Sequence, residues 1–354
     1  MIGGMTGSWM IYGANGYTGE LIAQEARRRG LTPLLAGRNR GPIENLAREL
    51  GLEARVFALD DEKATTAALQ GVGTVLHCAG PFRSTYRPMV EACLARGVHY
   101  LDITGEIAVF EAIAARDAAA RRAGVTLLPG AGFDVVPSDC LAAHLHRRLP
   151  EADHLALAFA SSGGVSRGTL RTSLGQADRT GLVRRRGVLE PIRFGSLRRE
   201  IDFGSGPRPA VAIPWGDLST AWRSTGIPNL ETYMALPRGA QTMLALLALL
   251  RPLTRTRVGR SALESWIARR PAGPDADARA RGRSRLWGEA RGSSGRRVVS
   301  RLVGPEGYAL TVQTALRLVE RVANGEAPVG FQTPATAFGP DLILEIPGVQ
   351  RLDE

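Results

Sequence analysis

The chain has 354 residues, 44% of them hydrophobic, and a formal net charge of +11. This length and apolar content suffice for a large core and predict two domains. All but one of the 45 basic residues are arginine, and no zinc-finger spacing or RNA-binding signature accompanies them. We therefore interpret the charge as an arginine-rich solvated surface and predict no nucleic-acid partner.

The sequence contains no recognisable targeting or membrane-spanning segment. Met1–Ser8 is polar and glycine-rich, and the longest later apolar run, Met243–Leu250, is too short to cross a bilayer. Cys78, Cys93 and Cys140 lack metal-ligand spacing, so we predict neither a metal site nor a disulfide framework. We expect a cytoplasmic protein, and we interpret Met243–Leu250 as a buried helix. A homodimer face and a peripheral membrane contact remain open alternatives for this run.

Residues 1–150 alternate between short apolar runs and helical patterns. The apolar runs have strand length and lie at Trp9–Tyr12, Leu34–Ala36, Ala54–Leu59, Val72–Ala79, His99–Ile103 and Val125–Pro129. The helical patterns lie at Thr18–Arg29, Pro42–Leu50, Asp60–Leu69, Tyr86–Arg96 and Ile107–Arg122. Such alternation requires crossover connections, so it predicts a doubly wound, Rossmann-type parallel sheet.

Residues 151–354 follow a different pattern, which predicts a second α+β domain with a mostly antiparallel sheet. Strand-like pieces occur at His154–Ser161, Ala210–Pro214 and Leu230–Leu236, and a hairpin joins Arg283–Glu289 to Arg296–Val303. We predict a helix at Gln241–Leu250, an exposed loop at Pro271–Arg285, and a short strand plus a helix within Gly307–Asn324. Three non-periodic segments are candidates for lining an apolar pocket, or for ordinary sheet corners: Ile213–Trp222, Thr225–Met234 and Gly330–Gly339.

A glycine-rich stretch connects the first predicted strand to the first predicted helix. In this context the three glycines would permit a tight turn, close approach of a pyrophosphate, and close helix–strand packing. A purely structural turn is the less favoured alternative. The predicted phosphate-binding residues are Gly13, Asn15, Gly16, Tyr17, Thr18 and Gly19.

The end of the second strand indicates which dinucleotide binds. An acidic residue there would hold the ribose hydroxyls of NAD, but the sequence has Arg38, Asn39 and Arg40. Arginine suits a 2′-phosphate, so we predict NADP(H) as the cofactor. Asp60, at the end of the third strand, is expected either near the adenine or as a helix cap.

The remaining strand ends are expected to converge on the nicotinamide, because ligands bind beyond the carboxyl ends of parallel strands. The fourth strand ends in a His77–Phe82 segment whose small residues would let a ribose pass closely. The fifth ends in Asp102–Glu106, and the sixth is followed by Asp134. The further predicted cofactor contacts are Cys78, Ala79, Gly80, Pro81 and Gly105.

The motifs "GANGYTG", "AGRN", "CAGPF", "YLDITGE" and "GAGFDVVPSD", in this order, resemble the saccharopine dehydrogenase-like oxidoreductases. The resemblance covers about residues 8–145, and the family includes the trans-acting enoyl reductases. It implies a pyridine-nucleotide-dependent reductase with a second domain that binds substrate and a C-terminal segment that packs back near the first domain. It does not imply saccharopine as the substrate.

The candidate catalytic residues are Tyr86, Glu106 and Asp134, because a hydride acceptor also needs a proton donor. For Tyr86 a packed aromatic residue is the favoured alternative, and Asp134, like Asp102, could brace a loop. His77 is expected to be a core histidine. A nucleophilic role for Cys78 is disfavoured because no partner is evident.

These observations favour an NADPH-dependent reductase of the C=C bond of an enoyl substrate, either a small molecule or a carrier-bound acyl group. An imine or saccharopine-type C=N reduction is the alternative, and Arg167, Arg171 and Arg179 could then bind substrate carboxylates. A non-catalytic NADP-binding regulator is a third possibility, and a membrane-surface protein a fourth.

Overall fold

The computed structural model describes residues 8–161, 166–168, 181–235 and 256–354. Seven parallel strands form one sheet, sheet A, in the order β15-β6-β5-β4-β1-β2-β3. Its first six strands in the chain have the doubly wound order of a Rossmann domain, which confirms the predicted fold class. The strands are β1 (Trp9–Tyr12), β2 (Leu34–Gly37), β3 (Ala54–Val56), β4 (Thr74–His77), β5 (His99–Asp102), β6 (Thr126–Leu128) and β15 (Gly330–Phe331).

Helices connect these strands. They are α1 (Tyr17–Arg28), α2 (Arg40–Leu50), α3 (Glu62–Ala68), α4 (Phe82–Arg96), α5 (Ile107–Ala114), α6 (Asp117–Ala123) and α7 (Val136–Arg148). The prediction of one helix over Ile107–Arg122 was wrong, because the chain breaks into two helices near Arg116. Asp117 starts the second helix and accepts a hydrogen bond from the Phe331 amide of β15 at 2.8 Å, a long-range contact with no local signal.

The second sheet, sheet B, is mixed and mostly antiparallel, as predicted. Its main order is β10-β11-β12-β7-β13-β14-β16, with β8 paired to β12 and β9. Only the β7–β12 pair is parallel among the strand pairs of this sheet that the structure describes. The strands are β7 (Ala152–Ser161), β8 (Gly181–Arg185), β9 (Val188–Ile192), β10 (Arg198–Asp202), β11 (Pro207–Ala212), β12 (Asn229–Ala235), β13 (Arg283–Gly292), β14 (Arg297–Pro305) and β16 (Gln350–Asp353).

The helices of the second half correct two predictions. They are α8 (Asp217–Thr225), α9 (Arg257–Ala268), α10 (Ala276–Arg281), α11 (Gly307–Ala323), α12 (Pro334–Phe338) and a 3₁₀ turn at Leu342–Glu345. Pro271–Arg285 is not simply an exposed loop, because Asp275 caps α10 by accepting a hydrogen bond from the Ala278 amide. Gly307–Asn324 contains no short strand, because Glu306 starts the helix at once by accepting from the Tyr308 and Ala309 amides. The predicted helix at Gln241–Leu250 lies outside the described residues.

Helix α7 joins the two sheets. It follows β6 of sheet A directly, and its buried face packs against β13 and β14 of sheet B. Gly288 of β13 permits this close approach, because a side chain there would overlap Leu145. One continuous hydrophobic cluster therefore runs from β1 and α1 through α7 to sheet B. None of the described helices is long and apolar enough to cross a bilayer.

Asp139, in the first turn of α7, connects this helix to the C-terminal segment. One carboxylate oxygen accepts from the Ser224 hydroxyl at 2.7 Å, and the other accepts from the Ala335 amide at 2.8 Å. Asp139 therefore holds α8 and the start of α12 against α7, rather than capping its own helix. Burial raises the pKa of this carboxyl, and hydrogen bonds from Ser224, Ala335 and Thr333 oppose the shift.

We expect Asp139→Asn to lower the free energy of unfolding by roughly 1–3 kcal/mol. The amide keeps one acceptor but faces a second hydrogen-bond donor with its own N–H groups. Urea unfolding monitored by circular dichroism measures the change. The control is Asp277→Asn on the exposed face of α10, and an equal effect of the two substitutions would contradict the bridging role.

Candidate functional site

The glycine loop after β1 is built on backbone contacts that tolerate no side chains. The Gly13 amide donates to the Ala36 carbonyl of β2 at 2.7 Å, and Gly13 has a φ of +82°. A Cβ on Gly13 would come within 2.8 Å of the Ala79 backbone, and one on Gly19 would overlap the Gly13 carbonyl. The loop is thereby pressed between the ends of β2 and β4.

The same loop leaves the start of α1 open for an anion. Gly16 is the N-cap residue and supplies no side-chain cap to the first-turn amides. The following residues, Tyr17 and Thr18, are half-buried, while Gly16 is exposed. Uncapped amides at a helix N-terminus bind phosphate oxygens. We call the glycine loop and the first-turn amides of α1 the cradle. The cradle fits the pyrophosphate of a dinucleotide.

The end of β2 lies next to this cradle. Asn15 approaches Gly37, where an added Cβ would lie 3.2 Å from the Asn15 side-chain oxygen. Arg38 and Asn39 are exposed, and Arg40 pairs with Glu44 at 2.7 Å.

The end of β3 bears on the two alternatives for Asp60. Asp60 is exposed, and the cap of α3 is its neighbour Asp61, which accepts from the Ala64 amide at 2.9 Å. Because Asp61 is the cap of α3, helix capping does not explain why residue 60 is an aspartate.

The ends of β4 and β5 are tied together by Glu106. Its Oε1 accepts from the Phe82 amide at 3.0 Å, so this carboxylate caps the start of α4 after the exposed Gly80–Pro81 turn. Tyr86 lies in the first part of α4 and packs, half-buried, on the hydrophobic cluster of that face. Glu106 thus has a positioning contact, while the Tyr86 ring has a packing one.

At the end of β4, His77 is buried in the core, and Cys78 is half-buried and packs against the core. The His77 ring is buried and its Nε2 lies 3.0 Å from the Thr85 hydroxyl. Burial lowers the pKa of His77 to about 3 and raises the pKa of the Cys78 thiol far above its ordinary value. A neutral imidazole and a neutral thiol offer neither a cation nor a nucleophile here.

Asp102 is a brace at the end of β5. Its Oδ1 accepts from the Thr104 and Gly130 amides, each at 2.9 Å, and its Oδ2 accepts from the Tyr100 hydroxyl at 2.7 Å. Burial raises the pKa of Asp102 to about 6. All its partners belong to the β5 and β6 ends, so the carboxyl fixes the spacing of the two loops.

Asp134, after β6, lacks such partners. Its Oδ2 lies against Gly105, where an added Cβ would be 2.8 Å away, and the described residues give the carboxyl no hydrogen bond. Burial alone raises the pKa of Asp134 to about 6. A carboxyl with this pKa can hold or release a proton near neutral pH.

Three aromatic rings form a surface beside Asp134, which we call the aromatic shelf: Phe133, Phe159 and Trp215. The Phe133 and Phe159 ring centres are 6.0 Å apart, and those of Phe159 and Trp215 are 4.5 Å apart. The Trp215 indole donates to the Asp134 carbonyl at 2.7 Å. Sheet B thus contributes an apolar wall to the carboxyl edge of sheet A.

Asp217 lies behind the shelf and is 1% exposed. Its Oδ1 has no hydrogen-bond partner among the described residues, and it borders a cavity of about 10 Å³ together with Ser138 and Trp215. The Ser138 hydroxyl is shared between the Val135 carbonyl, at 3.1 Å, and the Asp217 carboxyl, whose pKa it lowers. Burial and the nearby Asp134 and Asp139 carboxyls raise the pKa of Asp217 well above its ordinary range.

The structure brings most of the predicted residues to one edge of sheet A, in the order of the strand ends. Sequence reasoning missed Trp215 and Asp217 as individual residues, although Ile213–Trp222 was singled out as a pocket-lining candidate. It also missed a contact between Tyr17 and Arg279, at 2.9 Å, because the arginine excess hides any single arginine. Within the described residues, no group of three or more histidine, cysteine or acidic side chains is arranged to hold a metal ion.

Comparison with known proteins agrees with this geometry. Residues 9–128 match the family model of the saccharopine dehydrogenase NADP binding domain. A solved saccharopine dehydrogenase (L-Glu forming) from Saccharomyces cerevisiae has the same fold, with a TM-score of 0.66 at 12% identity, covering 98% of this chain and all of that one.

Curated relatives share mainly the first domain. A saccharopine dehydrogenase-like oxidoreductase of Homo sapiens is 30% identical over 37% of this chain and 35% of its own length. A trans-acting enoyl reductase of Mycobacterium leprae is 32% identical over 40% of this chain and 36% of its own. The alignments thus span about a third of these relatives. A lipid droplet localized protein of Caenorhabditis elegans is 24% identical over 95% of both chains. Residues 9–128 thus form an NADP-binding domain of the saccharopine dehydrogenase type, which confirms the predicted resemblance and the NADP(H) cofactor.

Proposed function

We propose that the chain is an NADPH-dependent reductase of the C=C bond of an α,β-unsaturated acyl group, presented as a small molecule or on a carrier. The observation that carries this proposal is the aromatic shelf next to Asp134. An apolar wall beside a single proton-holding carboxyl suits an acyl chain that must receive one hydride and one proton. The name of the mycobacterial relative, trans-acting enoyl reductase, supports the same reaction class.

In this proposal the chain's own residues bind the cofactor, orient the substrate and protonate it. The first-turn amides of α1 would hold the pyrophosphate, and Arg38 would bind the 2′-phosphate by charge-assisted hydrogen bonds. When bound, NADPH would supply the hydride for the β-carbon of the substrate. Asp134 donates its proton to the α-carbon, and the resulting carboxylate is reprotonated from solvent. Glu106 acts as a positioning residue for the β4–α4 turn, and Tyr86 lies on the same helix.

The saccharopine-type alternative needs cations facing the substrate. Arg167 does not provide one in the described structure, because its amide donates to the Ala272 carbonyl and its Nη1 lies 3.4 Å from the Ala268 carbonyl. Arg171 and Arg179 lie outside the described residues. No observation on the aromatic shelf favours carboxylate binding, so C=C reduction is the better-supported reaction.

The predicted boundary near residue 150, the cytoplasmic location, the homodimer and the peripheral membrane contact stay predictions. The run Met243–Leu250, on which the last two depend, lies outside the described residues. The name of the lipid droplet localized relative supports testing lipid-like acyl substrates first.

Arg38→Ala should weaken NADPH binding by roughly 10- to 100-fold, the loss of a charge-assisted contact. NADH lacks the 2′-phosphate, so its dissociation constant should change by less than about twofold. Calorimetric titration of the full chain measures both ligands. Arg48→Ala, an exposed arginine of α2, is the matched control. Equal weakening for NADPH and NADH would contradict the phosphate contact.

Asp134→Asn should lower the rate of NADPH oxidation with 2-enoyl thioesters by roughly 10²- to 10⁴-fold, with NADPH affinity unchanged. The protonated acid is required, so the wild-type rate should fall as the pH rises through about 6. Absorbance of NADPH at a series of pH values measures this. An unaltered pH profile in Asp134→Asn would rule out Asp134 as the donor.

Asp217→Asn should alter how stability depends on pH. The native carboxyl has a raised pKa, whereas in the unfolded chain it ionises near 3.9. Above this pH the wild type should therefore lose about 1.4 kcal/mol of unfolding free energy per pH unit relative to the variant, up to the native pKa. Urea unfolding between pH 4 and 7 tests this, with Asp277→Asn as the control. Parallel curves for wild type and Asp217→Asn would show that Asp217 is ionised in the native protein.

A further inference from the structure

A segment of the second half of the chain, residues 269–281, contacts Tyr17 at the start of α1, and we call this segment the strap. The Tyr17 hydroxyl donates to the Pro274 carbonyl at 2.5 Å and accepts from Arg279 Nη1 at 2.9 Å. Gly273 lies directly on the Tyr17 ring, and an added Cβ there would overlap it. The strap therefore packs closely on the Tyr17 ring and forms hydrogen bonds with its hydroxyl.

Further contacts fix the positions of the strap and of Tyr17 relative to each other. The Tyr17 ring meets the Tyr308 ring edge-on at a centroid distance of 5.0 Å. The Arg167 amide donates to the Ala272 carbonyl at 3.0 Å. Arg279 Nη1 also donates to the Pro274 carbonyl at 2.6 Å, so the guanidinium closes a ring of hydrogen bonds with Tyr17 and Pro274. The position of Arg279 is thus fixed by the residue that begins α1.

The charge of Arg279 is not matched by a carboxylate. No acidic side chain of the described residues lies within ion-pair distance of it, and Nη1 contacts only neutral oxygens. Glu306, an acidic group close enough to interact with Arg279, already accepts from the Tyr308 and Ala309 amides. The guanidinium is half-buried and has five N–H donors. A half-buried guanidinium with spare donors is a ready partner for an anion.

The pyrophosphate is the anion that this position fits. The uncapped amides of Tyr17 and Thr18 mark where its oxygens bind, and Arg279 is held one tyrosine side chain away from them. We propose that Arg279 is a cofactor-positioning residue that reaches from the second half of the chain to the pyrophosphate of NADP(H), with Tyr17 setting its place. This role rests on the NADP(H) site described above and is independent of the substrate that is reduced.

The test separates the two ends of the cofactor. Arg279→Ala and Arg279→Gln are titrated in a calorimeter with NADPH and with adenosine 2′-monophosphate, which lacks a pyrophosphate. Gln can still donate to Pro274 or Tyr17 without the charge, so it keeps the test valid if the alanine variant folds poorly. The matched control is Arg281→Ala, on the same helix with a side chain 79% exposed.

We expect both Arg279 variants to bind NADPH at least tenfold more weakly and adenosine 2′-monophosphate within twofold of the wild type. Arg281→Ala should match the wild type for both ligands, and Arg38→Ala should lose affinity for both. Unchanged NADPH binding, or equal weakening for both ligands in the Arg279 variants, would overturn the proposal while leaving the cofactor in place. Failure of the wild type to bind NADPH would instead overturn the cofactor assignment and, with it, this proposal.

Discussion

The glycine loop must pass within backbone contact distance of β2 and β4, and the rest of the site depends on this constraint. Gly13 lies against Ala79, and Gly19 lies against the Gly13 carbonyl, so α1 starts close to the sheet. Its N-cap residue, Gly16, supplies no side-chain cap, and the amides of the first turn lie at the edge where the parallel strands end. Gly13 and Gly19 thus permit the packing, and Gly16 leaves the helix start open for an anion.

The carboxyls at this edge fall into two groups: those that accept hydrogen bonds from neighbouring segments and those that lack such partners. Asp102 and Asp139 are each satisfied by amides or hydroxyls of neighbouring segments, so their role is to hold those segments together. Asp134 has no such partner, and one oxygen of Asp217 has none among the described residues. Desolvation of a carboxyl disfavours its ionised form, and the half-buried Asp134 has its pKa raised to about 6 by this effect alone. This difference in hydrogen bonding between Asp134 and the satisfied carboxyls, Asp102 and Asp139, favours Asp134 as the proton donor.

The sequence was informative where the cause of a structure is local. The alternation of apolar runs and glycine-terminated helices predicted sheet A, and the absence of an acid after β2 predicted NADP(H). Features that depend on distant chain segments had no local signal. Asp117, at the start of the second helix, is hydrogen-bonded to the Phe331 amide of β15, and Glu106 is hydrogen-bonded to the Phe82 amide of α4. Neither contact could be read from the local sequence. Arg279 is one of 44 arginines, so the sequence alone does not single it out.

The second half of the chain contacts the carboxyl edge of sheet A at two places. Arg279 donates to the Tyr17 hydroxyl at the start of α1, and the Trp215 indole donates to the Asp134 carbonyl after β6. In the proposed function these two places are the pyrophosphate end and the nicotinamide end of the cofactor site. A shift of sheet B relative to sheet A would therefore disturb cofactor binding and proton donation together. Because hydride transfer requires the donor carbon and the acceptor to be held in near contact, this double attachment gives the fold a means of aligning them. The first domain alone has the cradle, but neither the aromatic shelf nor the strap.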